Sequence, residues 1–440
     1  MHKSAILMLA LAILTSAFLM TAKPTQSSAT VEENSWAAKE PLPLPSRCIV
    51  GVEGKIYAIG GAGDFANVSY SYNAVLEYDP ALDTWTAKKP MQTAIGRVAT
   101  AVYQDRIYVF GESDGLNQVY DPAADMWEDR ASMPTLRTQF DANVVNGKIY
   151  LIGGHVGDEG SATTVNEVYD PANDSWTTKA AMPIGVYSYA SAVVDNKIYF
   201  MGGSGPDPPN LNQIYDVDTD TWSFGTPVPT PVSNAAAGAT SGVLAPKRIY
   251  VIGGRADYGG EGISDNQVYN PQNDSWTAGE PMPTARFQLH MTVLNDQLYV
   301  VGGLPFAAIG PYCFEHEQYT PFGYGAAPPI IDVASPVNQT YNASSVSLDF
   351  MVNKPVAWMG YSLDGRDNVT INGNTTLDGL SNGLHNITVY ARDELDNTGA
   401  SETVSFIVES PFPTALVAAS TASAVIIGIG LLVYFKKRKH

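Results

Sequence analysis

Lys148-Ile149-Tyr150-Leu151-Ile152-Gly153-Gly154, followed by Val168-Tyr169-Asp170-Pro171 and then Trp176, is a pattern that returns along about two-thirds of the chain. Another copy reads Lys55-Ile56-Tyr57-Ala58-Ile59-Gly60-Gly61, then Glu77-Tyr78-Asp79-Pro80 and Trp85. Six tryptophans, Trp36, Trp85, Trp127, Trp176, Trp222 and Trp276, close the pattern at intervals of 49, 42, 49, 46 and 54 residues. Glycine pairs also stand at Gly202/Gly203, Gly253/Gly254 and Gly302/Gly303, with a degenerate copy at Gly111-Glu112. Such a period marks an array of similar supersecondary units. Apolar runs such as Ile249 to Ile252 predict strands. The glycines ending them suit backbone with positive φ or a closely approaching neighbour.

One small sheet cannot bury both of its faces, so the units must stack, and a closed ring leaves only short, protected edges. The recurring Tyr and Trp are then expected to fill the wedges between sheets. These residues resemble kelch repeats from roughly Asn34 to Gly325, and the resemblance implies an all-β fold built on a six-bladed kelch β-propeller. The sixth copy, Leu298 to Gly303 and then Glu317-Gln318-Tyr319-Thr320-Pro321, lacks a tryptophan, whereas Trp36 has no copy of its own. The segment Asn34-Ser35-Trp36 is therefore predicted to be the outer strand of blade six, closing the ring.

Beyond the propeller (34–325), composition shifts at Ala326-Ala327-Pro328-Pro329, and short alternating runs predict a β-sandwich over 326–410. Tyr361 to Gly365, His385 to Ala391 and Asp396 to Gly399 resemble the Ig-like modules of prokaryotic, especially archaeal, surface proteins. At the N-terminus, His2-Lys3 before an apolar stretch reads as a signal peptide over 1–22, with a linker over 23–33. At the other end, 411–435 reads as one transmembrane anchor, since Thr414 to Phe435 carries no charge over 22 residues. At about 1.5 Å per residue such a helix would span the hydrocarbon core. The basic tail 436–440 marks the cytoplasmic side. The expectation is a single-pass cell-membrane protein with its N-terminal ectodomain outside.

Glycosylation sequons at Asn67, Asn338, Asn342, Asn368, Asn374 and Asn386 fit that expectation. Those at Asn173 and Asn273 read better as the repeat's own turn. Cys48, at the start of blade one, and Cys313, in blade six, fall in adjacent blades if the ring closes. A disulfide between them would contribute about 2–4 kcal/mol; the other reading is two buried thiols.

The formal charge of −19 argues against nucleic acid as a partner, because phosphate binding needs clustered Lys and Arg. Asp216-Val217-Asp218-Thr219-Asp220 imitates a calcium loop but lacks its glycine and distant glutamate, and it stands where the other copies have their turn. His155, His290, His316 and His385 have no ligand-like spacing. No metal, cofactor or enzyme activity is expected.

What remains is a binding surface. In kelch propellers the ligand is met by residues opening the innermost strands and by the loops after the glycine pairs. Arg137 and Arg286 lie twelve residues before Ile149 and Leu298, and Arg97 ten before Ile107. Tyr187 and Asn234 hold similar places in blades four and five. With the loop residues His155, Asp158 and Tyr258 they form a candidate site for an acidic or sugar ligand, arginine supplying forked donors. The alternative is that the arginines only tie blades together through backbone carbonyls. The resemblance implies a binding or adhesion module for a protein or glycan; a sugar-acid mutarotase-type enzyme is the second possibility.

Overall fold

The computed structural model describes residues 32–44, 48–65, 68–111, 113–157, 161–205, 210–256, 260–305, 312–326, 328–393 and 397–409. The predicted signal peptide and membrane anchor, Asn67, Asp158 and Tyr258 lie outside these residues. Among the described residues every regular element is a strand, apart from one 3-10 turn at Ser113–Gly115.

Six four-stranded antiparallel sheets form a propeller-like ring. Their innermost strands are Ile49–Val52, Val98–Tyr103, Ala142–Val145, Ala190–Val194, Ala236–Ala239 and His290–Leu294, taken here as the first strands of blades one to six. Each of these strands touches the next, and the sixth touches the first. Ser35–Lys39 is the outer strand of blade six, with Trp36 opposite Tyr319, as Trp176 lies opposite Tyr169 in blade three.

The repeated tryptophans act as blade-to-blade staples. In blade three, the Tyr169 hydroxyl donates to Asp174 Oδ1 at 2.6 Å, and the same oxygen accepts the Ala131 N–H at 2.8 Å. Trp176 Nε1 donates to the Ala131 carbonyl at 2.9 Å. Ala131 belongs to the linker from blade two, so both its peptide groups are gripped by the next blade. The grip recurs on Glu40, Lys89, Ala180 and Thr226. In blade six it is made by the chain's start: Asn34 Oδ1 accepts from Glu280 N and Tyr319 OH, and Trp36 Nε1 donates to Glu280 O. Asn34 and the five aspartates, Asp83, Asp125, Asp174, Asp220 and Asp274, all have φ between 48° and 54°. Asn and Asp tolerate this left-handed region better than other non-glycine residues.

The glycine pair has a related task. A Cβ on Gly202 would stand 2.2 Å from the Val232 carbonyl, the group that accepts the Gly203 N–H at 2.8 Å. The next blade's lead-in loop therefore lies too close for any side chain. Blade five alone exchanges its tight inner hairpin for the longer loop 240–248. The Asp296 carboxylate from blade six holds it, accepting N–H groups of Ser241, Val243, Leu244 and Ala245 at 2.6–3.1 Å.

The cysteine bridge expected from sequence is corrected: the two sulfurs are not bonded to each other. Cys48 lies beside the innermost strand of blade one, with Sγ 3.0 Å from Thr100 Oγ1. Cys313 precedes the third strand of blade six, its N–H bonded to Gly303 O at 2.9 Å. Neighbouring blades do not bring the sulfurs together because the two residues sit at different radii.

Residues 331–408 form two sheets around one core, in which Leu348, Phe350 and Leu377 of one meet Val389, Phe406 and Val408 of the other. Asn338, Asn342, Asn368 and Asn374 are exposed. Asn386 is half-buried in mid-strand, its oxygen accepting from Ser405 Oγ at 2.6 Å.

Candidate functional site

Ring closure leaves a cavity of about 290 Å³ on the axis, lined by residues from all six blades. Its mouth lies at the N-terminal ends of the innermost strands. Gln139, Ser188, Asn234 and Gln288 occupy one repeat position there, with φ between 52° and 55°. Their backbones form a relay: Ser188 N–H donates to Gln139 O at 2.9 Å, Asn234 to Ser188 O at 2.8 Å, and Gln288 to Asn234 O at 2.8 Å. The peptide groups at the mouth are thus satisfied among themselves, and the side chains line the opening. Deeper in, Asp141, Asn143 and Ser191 form a polar wall, where Ser191 Oγ donates to Asp141 Oδ2 at 2.9 Å and Asn143 Nδ2 to Ser191 Oγ at 3.0 Å. Ala235, Ala236, Ala237, Leu289 and Met291 form the walls of blades five and six.

The predicted site residues separate into three groups. Arg97 and Asn234 do line the mouth. His155 and Tyr187 meet edge to face, ring centroids 5.1 Å apart, where the strand after blade three's glycine pair passes the lead-in to blade four. Arg137 and Arg286 require correction, for neither reaches the cavity. Arg137 is 1% exposed and donates to Glu167 Oε2 at 2.6 Å and Leu151 O at 3.0 Å. Arg286 is 0% exposed and donates to Glu317 Oε2 at 2.6 Å and Val300 O at 3.3 Å. Both clamp a lead-in loop to the second and third strands of its own blade. Sequence reading missed Gln139, Ser188, Asp141, Gln288 and His290. The signal was there: Gln139 and Gln288 stand two residues after the arginines, in register with Asn234.

Burial sets the protonation of this wall. Desolvation raises the Asp141 carboxyl to about 6, against the opposing hydrogen bonds from Ser191. Burial likewise pushes the Cys48 thiol up to about 12, so at neutral pH it is no thiolate nucleophile. A second titratable group lies at the seam between blades six and one. There His316 stands where other blades have Asn117, Asn166, Asn212 and Asn266, and its Nδ1 meets Glu40 O at 3.2 Å. Burial lowers His316 to about 4; Asp83, Lys39 and Arg286 are the charged groups acting on it.

These two groups affect stability in opposite directions. Between about pH 6.5 and 4 the unfolded chain binds the His316 proton more tightly, so falling pH destabilises the fold. Between about pH 3.8 and 6 the folded chain binds the Asp141 proton more tightly, so rising pH destabilises it. At roughly 1.4 kcal/mol per pKa unit each is worth about 3 kcal/mol, and the two largely cancel in the native chain. His316→Asn is expected to lose stability as pH rises from 4 to 6, and Asp141→Asn to lose it as pH falls from 6.5 to 4. Urea midpoints at a series of pH values check this, and parallel curves for the two variants would refute it.

With this geometry in hand, the relatives are informative. The family described as KLHDC2/KLHL20/DRC7 Kelch-repeats domain matches residues 116–303. Kelch repeat and BTB domain-containing protein 12 of Homo sapiens is 36% identical over 89 residues, covering 19% of this chain and 14% of that protein. Kelch-like protein 35 of Mus musculus is 37% identical over 92 residues, covering 20% and 15%. The kelch-repeat likeness therefore covers residues 116–303. The chain spans only about a seventh of the length of these curated relatives. The solved structure titled "Structure of YjhT" shares the fold, with a TM-score of 0.52 at 17% identity, covering 64% of this chain and 97% of the other.

The expected single-pass membrane localisation is corrected at this point. Among the described residues no helix is long and apolar enough to cross a membrane. The segment on which that expectation rested lies outside the described residues. The family match likewise stops short of residues 326–410, so the Ig-like assignment of the second unit gains nothing from it.

Proposed function

We propose that this protein is a kelch-repeat interaction module that receives a protein or glycan ligand at the mouth of its axial cavity. The observation that carries the reading is the mouth itself, an open polar ring contributed by successive blades with its backbone already satisfied. Side chains so presented come from a rigid scaffold, so little ordering opposes binding. Aromatic and polar groups beside it, such as Tyr187 and His155, extend the surface outward.

Peptide and glycan arrays probed with the purified chain test this. Ligands found in that way should lose binding when Gln139 and Gln288 are both changed to Trp, which plugs the mouth. They should be indifferent to Asn146→Ser in the inner hairpin turn at the opposite end. Binding that survives the plug would sink the proposal.

One observation favours a second reading, general acid-base chemistry on a sugar acid. A carboxyl raised to about 6 inside a cavity is poised for proton transfer near neutrality. Accelerated anomer exchange of a sugar acid, abolished by Asp141→Asn, would establish it.

A further inference from the structure

The electrostatics of the site differ from those expected. The expectation is a rim of Arg97, Arg137 and Arg286 meeting an acidic or sugar ligand, but Arg137 and Arg286 lie in their own blades, each bonded to a glutamate, and of the three only Arg97 lines the cavity. What the cavity presents instead is Asp141, half-buried in its wall. Ser191 supplies hydrogen bonds to its carboxylate. Among the described residues no lysine or arginine forms an ion pair with Asp141. A carboxylate held in a cavity wall without a counter-charge is partly desolvated, and a cation brought to it offsets that cost.

The rest of the cavity suits one shape of cation. Ala235 to Ala237 and Met291 offer small apolar surface along the approach, while Gln139, Asn234 and Gln288 supply polar groups at the opening. An alkyl stem would lie against the first set while its charged end reaches the polar wall. The chain's formal charge of −19 also favours cationic ligands over anionic ones during encounter.

We propose that the axial cavity accepts an aliphatic cation, a primary ammonium or guanidinium on a short alkyl stem, with Asp141 as its counter-charge. This rests on the reading of the mouth as the binding site and names the chemistry recognised there. Cys48 and Tyr189 adjoin the carboxylate, and Arg97 and His290 share the lining. Any pH dependence must therefore be attributed by substitution.

Calorimetric titration of the full chain with butylamine, agmatine and Nα-acetyl-lysine amide tests the proposal, with 1-butanol and butyrate as neutral and anionic controls. The amines are expected to bind at least tenfold more tightly than either control at pH 7.5. Asp141→Asn should weaken them at least tenfold while leaving the thermal unfolding cooperative. Lowering the pH to 5 should weaken the native chain and the His290→Gln variant alike, and leave Asp141→Asn unchanged. Tighter binding of the blocked lysine than of agmatine would mark the cation as a partner's side chain, and the reverse a free amine. Absence of amine binding, equal binding of butyrate, or indifference to Asp141→Asn would overturn the inference. If array ligands still require an open mouth in that event, the site stands and only its chemistry is wrong.

Discussion

Replacing Asn34 and Trp36 by alanine will destabilise the ring more than the same pair of changes, Asp174 and Trp176 to alanine, made in blade three. Both pairs remove the same contacts: a tyrosine hydroxyl bond, a grip on one linker peptide from both sides, and a half-buried indole. Truncating a fully buried indole costs about 3–5 kcal/mol, and a half-buried one less. Blade three, however, is held to its neighbours by continuous chain on both sides. Blade six reaches its outer strand only across the non-covalent pairing of Ser35–Lys39 with His316–Thr320. Without the staple that strand can leave, exposing the free edge of the third strand and the wedge around Tyr319. The closure variant should therefore melt at lower temperature over a broader transition and be cut by protease between residues 33 and 44. A synthetic peptide of residues 33–40 added to a chain lacking them should restore part of the stability. Equal losses in the two double variants would show that covalent continuity is irrelevant to closure.

Arg137→Ala is expected to cost about 3–5 kcal/mol, because it strands the Glu167 carboxylate in a buried site without its partner. Arg286→Ala should behave alike through Glu317. The protein itself shows how to relieve the loss. Blades four and five lack the arginine and carry glutamine at the glutamate's position. Gln213 exchanges bonds with both peptide groups of Ile184, and Gln267 with those of Thr230. Arg137→Met combined with Glu167→Gln should accordingly regain most of the stability lost by Arg137→Ala. Chemical denaturation of the three variants measures this, and a double variant no more stable than the single would refute the account. Ligand binding by the mouth should be unaffected in the double variant, since neither side chain lines the cavity.

Much of the fold was legible because repetition multiplies weak signals. One Tyr-Asp-Pro turn followed by Trp is ambiguous, whereas six tryptophans against the glycine pairs identify both the unit and the odd strand at the chain's start. The candidate site was legible only in part. Asn234 and Arg97, picked by their place in the repeat, line the cavity, but the same register argument placed Arg137 and Arg286 at the rim. A charged residue near a binding face and a charged residue clamped beneath it share one sequence position. What separates them is a buried glutamate thirty residues further on in one case. Cys48 and Cys313 failed for a similar reason, since adjacency of blades says nothing about radius.

The sequence by itself determined the repeating unit, its strands and turns, and which segment had to complete the last sheet, because local propensity and periodic burial are written in consecutive residues. Only the tertiary structure decided which side chains face the axis, which charges cancel one another, and that Asp141 stands in the cavity wall with no ion-pair partner among the described residues. Those outcomes depend on contacts between residues far apart in the chain, where desolvation and pairing, rather than pattern, set the energy.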